Sequence, residues 1–442
     1  MTKKILIIGS GFNALATAHF FKNKNYDIKI IFERSIKGVL GSVKVENESF
    51  DLGYQFFDGL DQETDRFIRE MFSNEDLYNF EYGASTFSNN FLYEDHAIPY
   101  WLSYGKLFSI NAFIFYFKKF LKSFFVKSEK KKFNNLLDLF NQLPLSIKNI
   151  LSKGCEKHYQ VKPHELEAVA NEMSTFTNFR QTLFSDYISN LLKKNSHFFD
   201  EHLASRRKSN HSLENISLYP KGKNMEFITD KLIKKFKDQG IIFEQHDFDK
   251  VDLLDGLNHV KFKDEKFDQV LITTSLSNIQ RLFKLNLEKT YENYVSQIFV
   301  YFTIKKIDFK FQYTQINDLS LYSSRISNCS LYSKVTGENN HLLIAEIPLT
   351  DDNILWNDDD KLKNIAWSEI VKCGIVNNEE TYKSAKILKV TKTFPVPKVN
   401  FFDFIDEINL NLKNRYHGNV DIIGQGIFTR HKFIKELLNK LK

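Results

Sequence analysis

Gly9, Gly11 and Ala14 stand in the spacing G-x-G-x-x-[G/A], between the apolar run Ile5–Ile8 and a stretch that reads as a helix from about Asn13 to Phe21. A turn of this kind suits one task, the binding of a pyrophosphate. The first glycine permits the tight turn, the second lets the anion approach the backbone, and the small third residue lets helix and strand pack closely. Phe12 and Asn13 fall at the start of the helix, whose free N–H groups and positive dipole end face the anion. A second strand is expected at Asp27–Phe32, and it runs into Glu33, 19 residues after Ala14. An acidic side chain placed there takes the hydroxyls of an adenosine ribose.

The rest of the chain must position that turn. With 442 residues it exceeds the usual size of one hydrophobic core, so two or three intertwined domains are expected. Hydrophobic residues at 42% and charged residues at 26% are ordinary for a soluble globular enzyme. The net charge of +6 is spread along the chain and does not argue for nucleic acid. Cys155, Cys329 and Cys373 stand too far apart to form a ligand pair and suggest reduced thiols in a cytoplasmic protein. Only Met-Thr-Lys-Lys precedes the first strand, which leaves no room for a signal peptide.

From roughly 60 to 215 the pattern reads as mostly helical, as in Asn134–Phe140 and Gln181–Leu192, and suits a substrate-covering insertion. Leu218-Tyr-Pro-Lys-Gly222 breaks it, a helix follows from Met225 to Phe236, and strands are expected at Ile241–Glu244, Val251–Phe262 and Phe267–Thr274. Strand patterns dominate again from about 295 to 350, and the last segment reads as strand Val420–Ile423, Gly424-Gln-Gly426 and a helix from about Lys432.

This order of elements resembles the superfamily of FAD-dependent amine oxidases, protoporphyrinogen oxidases and phytoene desaturases, with UDP-galactopyranose mutase as a related branch. Glu33-Arg-Ser-Ile-Lys-Gly-Val-Leu-Gly41 is similar to the acidic residue and paired-glycine turn, Ser49–Gly53 to an F-D-x-G element beside the flavin, and Leu218–Gly222 to Y-P-x-G-G. Thr274 resembles the end of the return strand, while Thr393–Pro397 and Val420–Gly424 resemble the closing strands. The resemblance implies an α/β fold: a Rossmann-like, glutathione-reductase-like FAD-binding domain from 1–60, 215–285 and 385–442, a mostly helical substrate or lid domain at 61–214, and a β-rich substrate domain at 286–384. It implies FAD as cofactor, held by Gly9, Gly11, Phe12, Asn13, Ala14, Glu33, Arg34, Gly41, Ser42, Gly53, Tyr54, Phe248, Gly424, Gln425 and Arg430, with a small-molecule substrate. Where the family has an arginine after the paired glycine this chain has Ser42, and where the oxidases have an aspartate it has Gln425, which still donates and accepts hydrogen bonds.

Three functional readings follow: an FAD-dependent oxidoreductase acting on a small or lipophilic substrate, a mutase-like flavin isomerase of a nucleotide sugar with Arg206, Arg207 and Arg430 as diphosphate ligands, and a non-catalytic FAD-fold binding protein. Arg430 and His431 stand either at the flavin or on the solvent side of the last helix. His158 and His164 read as surface residues, Asn357–Asp360 as a helix cap, and no histidine pair supports a metal site. The aromatic stretch 107–132, rich in lysine, reads first as a buried helix of the substrate domain followed by a charged turn; the alternative is contact with an acidic lipid surface. The oligomeric state is left open.

Overall fold

The computed structural model describes residues 2–45, 48–81, 83–93, 106–123, 133–172, 186–196, 198–199, 203, 216–256, 258–284, 292–307, 309–333, 341–427 and 429–440. Arg206 and Arg207 lie outside them, as do residues 124–132 of the aromatic, lysine-rich stretch.

The first strand, Lys4–Ile8, is flanked by Asp27–Phe32 on one side and Gln269–Ile272 on the other, with Ile242–Gln245 and Val420–Ile422 at the edges. All four pairings are parallel. Ile5 to Ile8 are fully buried, as expected of a strand covered on both faces. The helix Gly11–Lys22 covers one face, with Ala14, Leu15 and Ala18 excluded from solvent. The helix Phe401–Arg415 covers the other, through Phe404, Ile408 and Leu412 in the core around Ile8, Val270 and Ile272. The α/β class and the parallel sheet agree with the sequence reading.

A second sheet has seven strands, in the order Tyr382–Pro397, Glu292–Ile304, His341–Pro348, Arg325–Asn328, Tyr313–Ile316, Ala84–Ser88, Phe91–Tyr93. Its last two strands fall within 60–215, the stretch expected to be mostly helical. Leu77–Glu81 is also a strand, paired with Ile216–Pro220, and Ala84–Ser88 joins Tyr313–Ile316 in parallel. The missed signal is Asn89-Asn90: both residues have positive φ, 49° and 62°, and join Ser88 to Phe91 in a two-residue hairpin turn. Helices do occupy Gln62–Phe72, Lys106–Ser123, Leu145–Tyr159 and Asp186–Asn195.

Asp51 joins the two layers. Its carboxylate is buried and accepts hydrogen bonds from the Tyr219 hydroxyl and, at 2.8 Å, from the N–H of Met225, the first residue of the helix Met225–Asp238. Its carbonyl accepts from the Tyr301 hydroxyl at 3.2 Å, which in turn accepts from the N–H of Gly53 at 3.0 Å. Thus the F-D-x-G and Y-P elements are the two halves of one contact. Burial pushes the Asp51 carboxyl up from 3.8 to about 7, against the opposing pull of Tyr219 and Met225. Because the native state holds this proton more tightly than the unfolded chain, Asp51 favours folding at low pH, and the contribution declines as pH rises from 3.8 towards about 7. Asp51→Asn, which cannot ionise, is expected to remove that decline from the pH dependence of urea midpoints. Asp51→Ala is expected to cost roughly 2–4 kcal/mol at every pH, because it strands two buried donors.

Candidate functional site

The glycine turn opens onto a cavity of about 780 Å³ lying between the two sheets. Four segments from distant parts of the chain meet at one end: Ser10–Asn13, Leu52–Gln55, Thr273–Ser275 and Gly424–Ile427. Gly9 turns beneath it with φ 151°, its N–H bonded to Ile31 O at 2.9 Å, and a Cβ there would meet Thr273 Oγ1 at 2.2 Å. Gly11 has φ 69° and approaches the short turn Gly38–Leu40, where a Cβ on Gly38 would lie 3.0 Å from Gly11 Cα. The close approach therefore falls at Gly38, which lines the cavity, while Gly41 sits one residue beyond the turn in extended backbone.

The side chains at this end are tied down. Gln425 Nε2 donates to Thr274 O, clamping the last strand's exit to that of its neighbour. Arg430 donates to Phe56 O at 3.0 Å and to Gln55 Oε1, and its guanidinium lies 5.7 Å from the Phe12 ring and 5.3 Å from that of Phe57. The Arg430 side chain therefore faces the cavity rather than solvent; His431 packs on Gly59.

Of the residues singled out from sequence, Gly11, Phe12, Asn13, Gly53, Tyr54, Gly424, Gln425 and Arg430 line one cavity, with Gly9 and Ala14 supporting the turn beneath it. The others lie elsewhere. Glu33 is ion-paired with Arg281 at 2.7 Å, and Arg281 is held by Asp249 as well. Ser42 donates to Glu226, the carboxylate that also pairs with Lys37 at 2.7 Å. Arg34 is exposed. Phe248 is 2% exposed and packs in the core behind the sheet, next to Ile31, Leu253 and Leu282, away from the cavity.

The far wall contains residues that the sequence reading did not single out. Gln315, Arg325, Glu346, Phe299 and Leu388 are successive cross-strand partners over five strands of the second sheet, so all five side chains stand on one face. Arg325 Nη2 meets Glu346 Oε2 at 2.7 Å, and Gln297 Nε2 donates to the same oxygen at 3.0 Å. Arg325 also lies 5.1 Å from the Tyr54 ring and 6.0 Å from that of Tyr313. The helix Leu145–Tyr159 contributes His158, stacked on Phe394 at 5.6 Å, and this places in the cavity a residue expected at the surface. Burial, and then the charges of Arg325 and Lys157, push its imidazole down to about 3, so the ring is neutral at physiological pH. Five buried polar atoms on the lining residues have no protein partner: Tyr54 OH, His158 Nδ1, Arg325 Nε, Glu346 Oε1 and Thr429 Oγ1. Unsatisfied groups gathered on one cavity mark a place where a polar ligand completes the hydrogen bonding. The signal in the sequence was a polar residue inside an otherwise apolar strand, as in His341–Pro348, where Glu346 is the sole acid.

No protein-family model matches this sequence, and no curated protein matches it. Solved structures do. A reduced UDP-galactopyranose mutase superposes with a TM-score of 0.68 at 13% identity, over 99% of this chain and 94% of that one. An oxidoreductase from Methanosarcina mazei gives 0.60 at 8% identity over 99% of each chain, and wild-type putrescine oxidase bound to putrescine gives 0.58 at 9% identity over 100% and 98%. The chain shares the fold of these enzymes. At this identity the likeness covers the architecture end to end, and the resemblance drawn from the motifs holds at that level.

Gly9 and Gly11 separate two kinds of constraint. Gly9→Ala drives a methyl into Thr273 and is expected to lose roughly 2–4 kcal/mol of unfolding free energy. Gly11→Ala meets nothing closer than 3.6 Å and is expected to cost about 1 kcal/mol, from its positive φ alone. Urea titrations of both variants check the ranking.

Proposed function

We propose that this protein binds FAD and is a flavin-dependent oxidoreductase of the amine oxidase and protoporphyrinogen oxidase type, acting on a small polar substrate. One observation carries the reading: a pyrophosphate-type glycine turn and a set of unpartnered polar groups line the same cavity. The residues fit the group. The backbone N–H groups of Phe12 and Asn13, in the first turn of a helix, suit the pyrophosphate, while that of Gly11 is bonded to Ile36 O. Leu52–Gln55, Thr273–Ser275 and Gly424–Ile427 line the cavity beside that turn, with Arg430 adding positive charge that would suit a reduced, anionic ring. When bound, FAD supplies electron acceptance and donation.

The protein's part is to orient the substrate and handle its protons. Tyr54 and Arg325 present donors, Glu346 Oε1 presents an acceptor, and the neutral imidazole of His158 accepts or donates at Nδ1. Paired Arg325 and Glu346 cancel in charge, which suits hydroxyl or amide groups better than a hydrocarbon. Glu33 is committed to Arg281, so a ribose hydroxyl would share that carboxylate with the guanidinium.

A second reading, an isomerase without net redox change, draws on the same wall, since a hydroxylated sugar would use its mixed donors and acceptors. Turnover separates the two: an oxidoreductase consumes a net electron acceptor and an isomerase consumes none.

The first test is the absorption spectrum of the purified protein, with the chromophore released and identified. A flavin spectrum and released FAD are expected. Gly11→Val, which crowds a branched side chain against Lys37 and Gly38 beside the turn, is expected to lose bound flavin, with circular dichroism reporting whether the fold is kept. A wild-type protein that is colourless and takes up no added FAD would refute the reading.

A further inference from the structure

The helix Lys106–Ser123 turns the wrong face outward for a component of a protein core. Ala112 and Tyr116 are buried, while Leu107, Ile110, Phe113, Ile114, Phe117 and Leu121 are exposed, Leu107 to 74% and Ile110 to 54%. At 3.6 residues per turn these six form one continuous stripe on the side away from the buried pair. The helix thus contradicts the first reading of this stretch as a buried helix. Beside the stripe, Lys118 and Lys122 are exposed, and the helix contains no acidic residue. The adjoining sequence 124–132 adds four lysines against one glutamate.

The apolar exposure continues on a second helix. Asp186–Asn195 exposes Tyr187 (80%), Ile188 and Leu191. Directly after it Phe198 and Phe199 pack on Phe120, with ring centroids 5.2 and 4.8 Å apart, which joins the two helices in one unit. Among the described residues no helix is long and apolar enough to cross a membrane.

From this we infer that the protein docks on anionic lipid bilayers, with the helix Lys106–Ser123 lying in the interface plane, its apolar stripe among the acyl chains and its lysines at the headgroups. Charge selects this occupant. A second copy docked stripe to stripe would bring lysines towards lysines, whereas an anionic headgroup layer pairs with them. The helix, about 27 Å long at 1.5 Å per residue, presents enough apolar surface for the contact without spanning. The inference does not rest on the flavin reading.

The test is co-sedimentation of the full-length protein with vesicles of phosphatidylcholine, alone or mixed with phosphatidylglycerol. Binding to the mixed vesicles that weakens as salt is raised is expected, with Phe113→Ser/Phe117→Ser and Lys118→Glu/Lys122→Glu each weakening it roughly tenfold. These side chains are exposed, so circular dichroism should be unchanged. As a measurement that tolerates a misfolded double variant, Ile114→Cys carries a polarity-sensitive dye; the three native cysteines are buried, and a blue shift with mixed vesicles is expected. Absence of both binding and blue shift in folded protein would overturn the inference. So would a dimer, seen by light scattering, that Phe113→Ser/Phe117→Ser dissolves while vesicle binding is absent.

Discussion

A buried carboxylate that cannot reach water must be held from several sides, and the groups bonded to Asp51, at its side chain and its carbonyl, come from three elements in two distant parts of the chain. Tyr219 belongs to a short strand, Met225 starts a helix of the first layer, and Tyr301 lies on the second longest strand of the other sheet. Satisfying one aspartate therefore sets the position of Leu52–Gln55 relative to both layers. That segment is a cavity wall, and Arg430 grips its far end through Gln55 and Phe56. The cavity keeps its shape because its walls are hydrogen-bonded to one another rather than merely packed.

The two ends of the cavity differ in how they present charge. Near the glycine turn the partners on offer are backbone N–H groups, a helix dipole and one arginine, all favourable to an anion. At the far wall an arginine and a glutamate neutralise each other and the histidine is uncharged. Burial holds the His158 imidazole down, and the charge of Arg325, itself held by Glu346, opposes its protonation further. A ligand reaching from one end to the other is thus expected to be anionic at one end and neutral at the other.

The parallel sheet was legible because burial on both faces leaves only one reading for runs such as Ile5–Ile8, and the glycine turn because its spacing is set by backbone sterics. The hairpin at 84–93 was not, since its strands are short and its turn uses two asparagines in place of glycine. Gly38 was passed over for Gly41, because which of two nearby glycines bends depends on what it faces. Arg325 and Glu346 were hidden for a further reason: their meeting is a matter of register between strands, and single strands carry no information on it. Phe248, which went to the core, shows the limit of carrying positions over from a pattern, and the ion pair at Glu33 was not visible in it.

The order of strands in the first sheet has a kinetic consequence. The central strand, at residues 4–8, pairs with one at 269–272, which pairs with one at 420–422. Such pairings span most of the chain, and loop closure must precede any gain from them. During synthesis the glycine turn leaves the ribosome hundreds of residues before Gly424, Gln425 and Arg430, the groups that close its cavity. The cavity is therefore closed only late in synthesis, and until residues 269–272 are made the apolar strand at Ile5–Ile8 lacks one of its two neighbours.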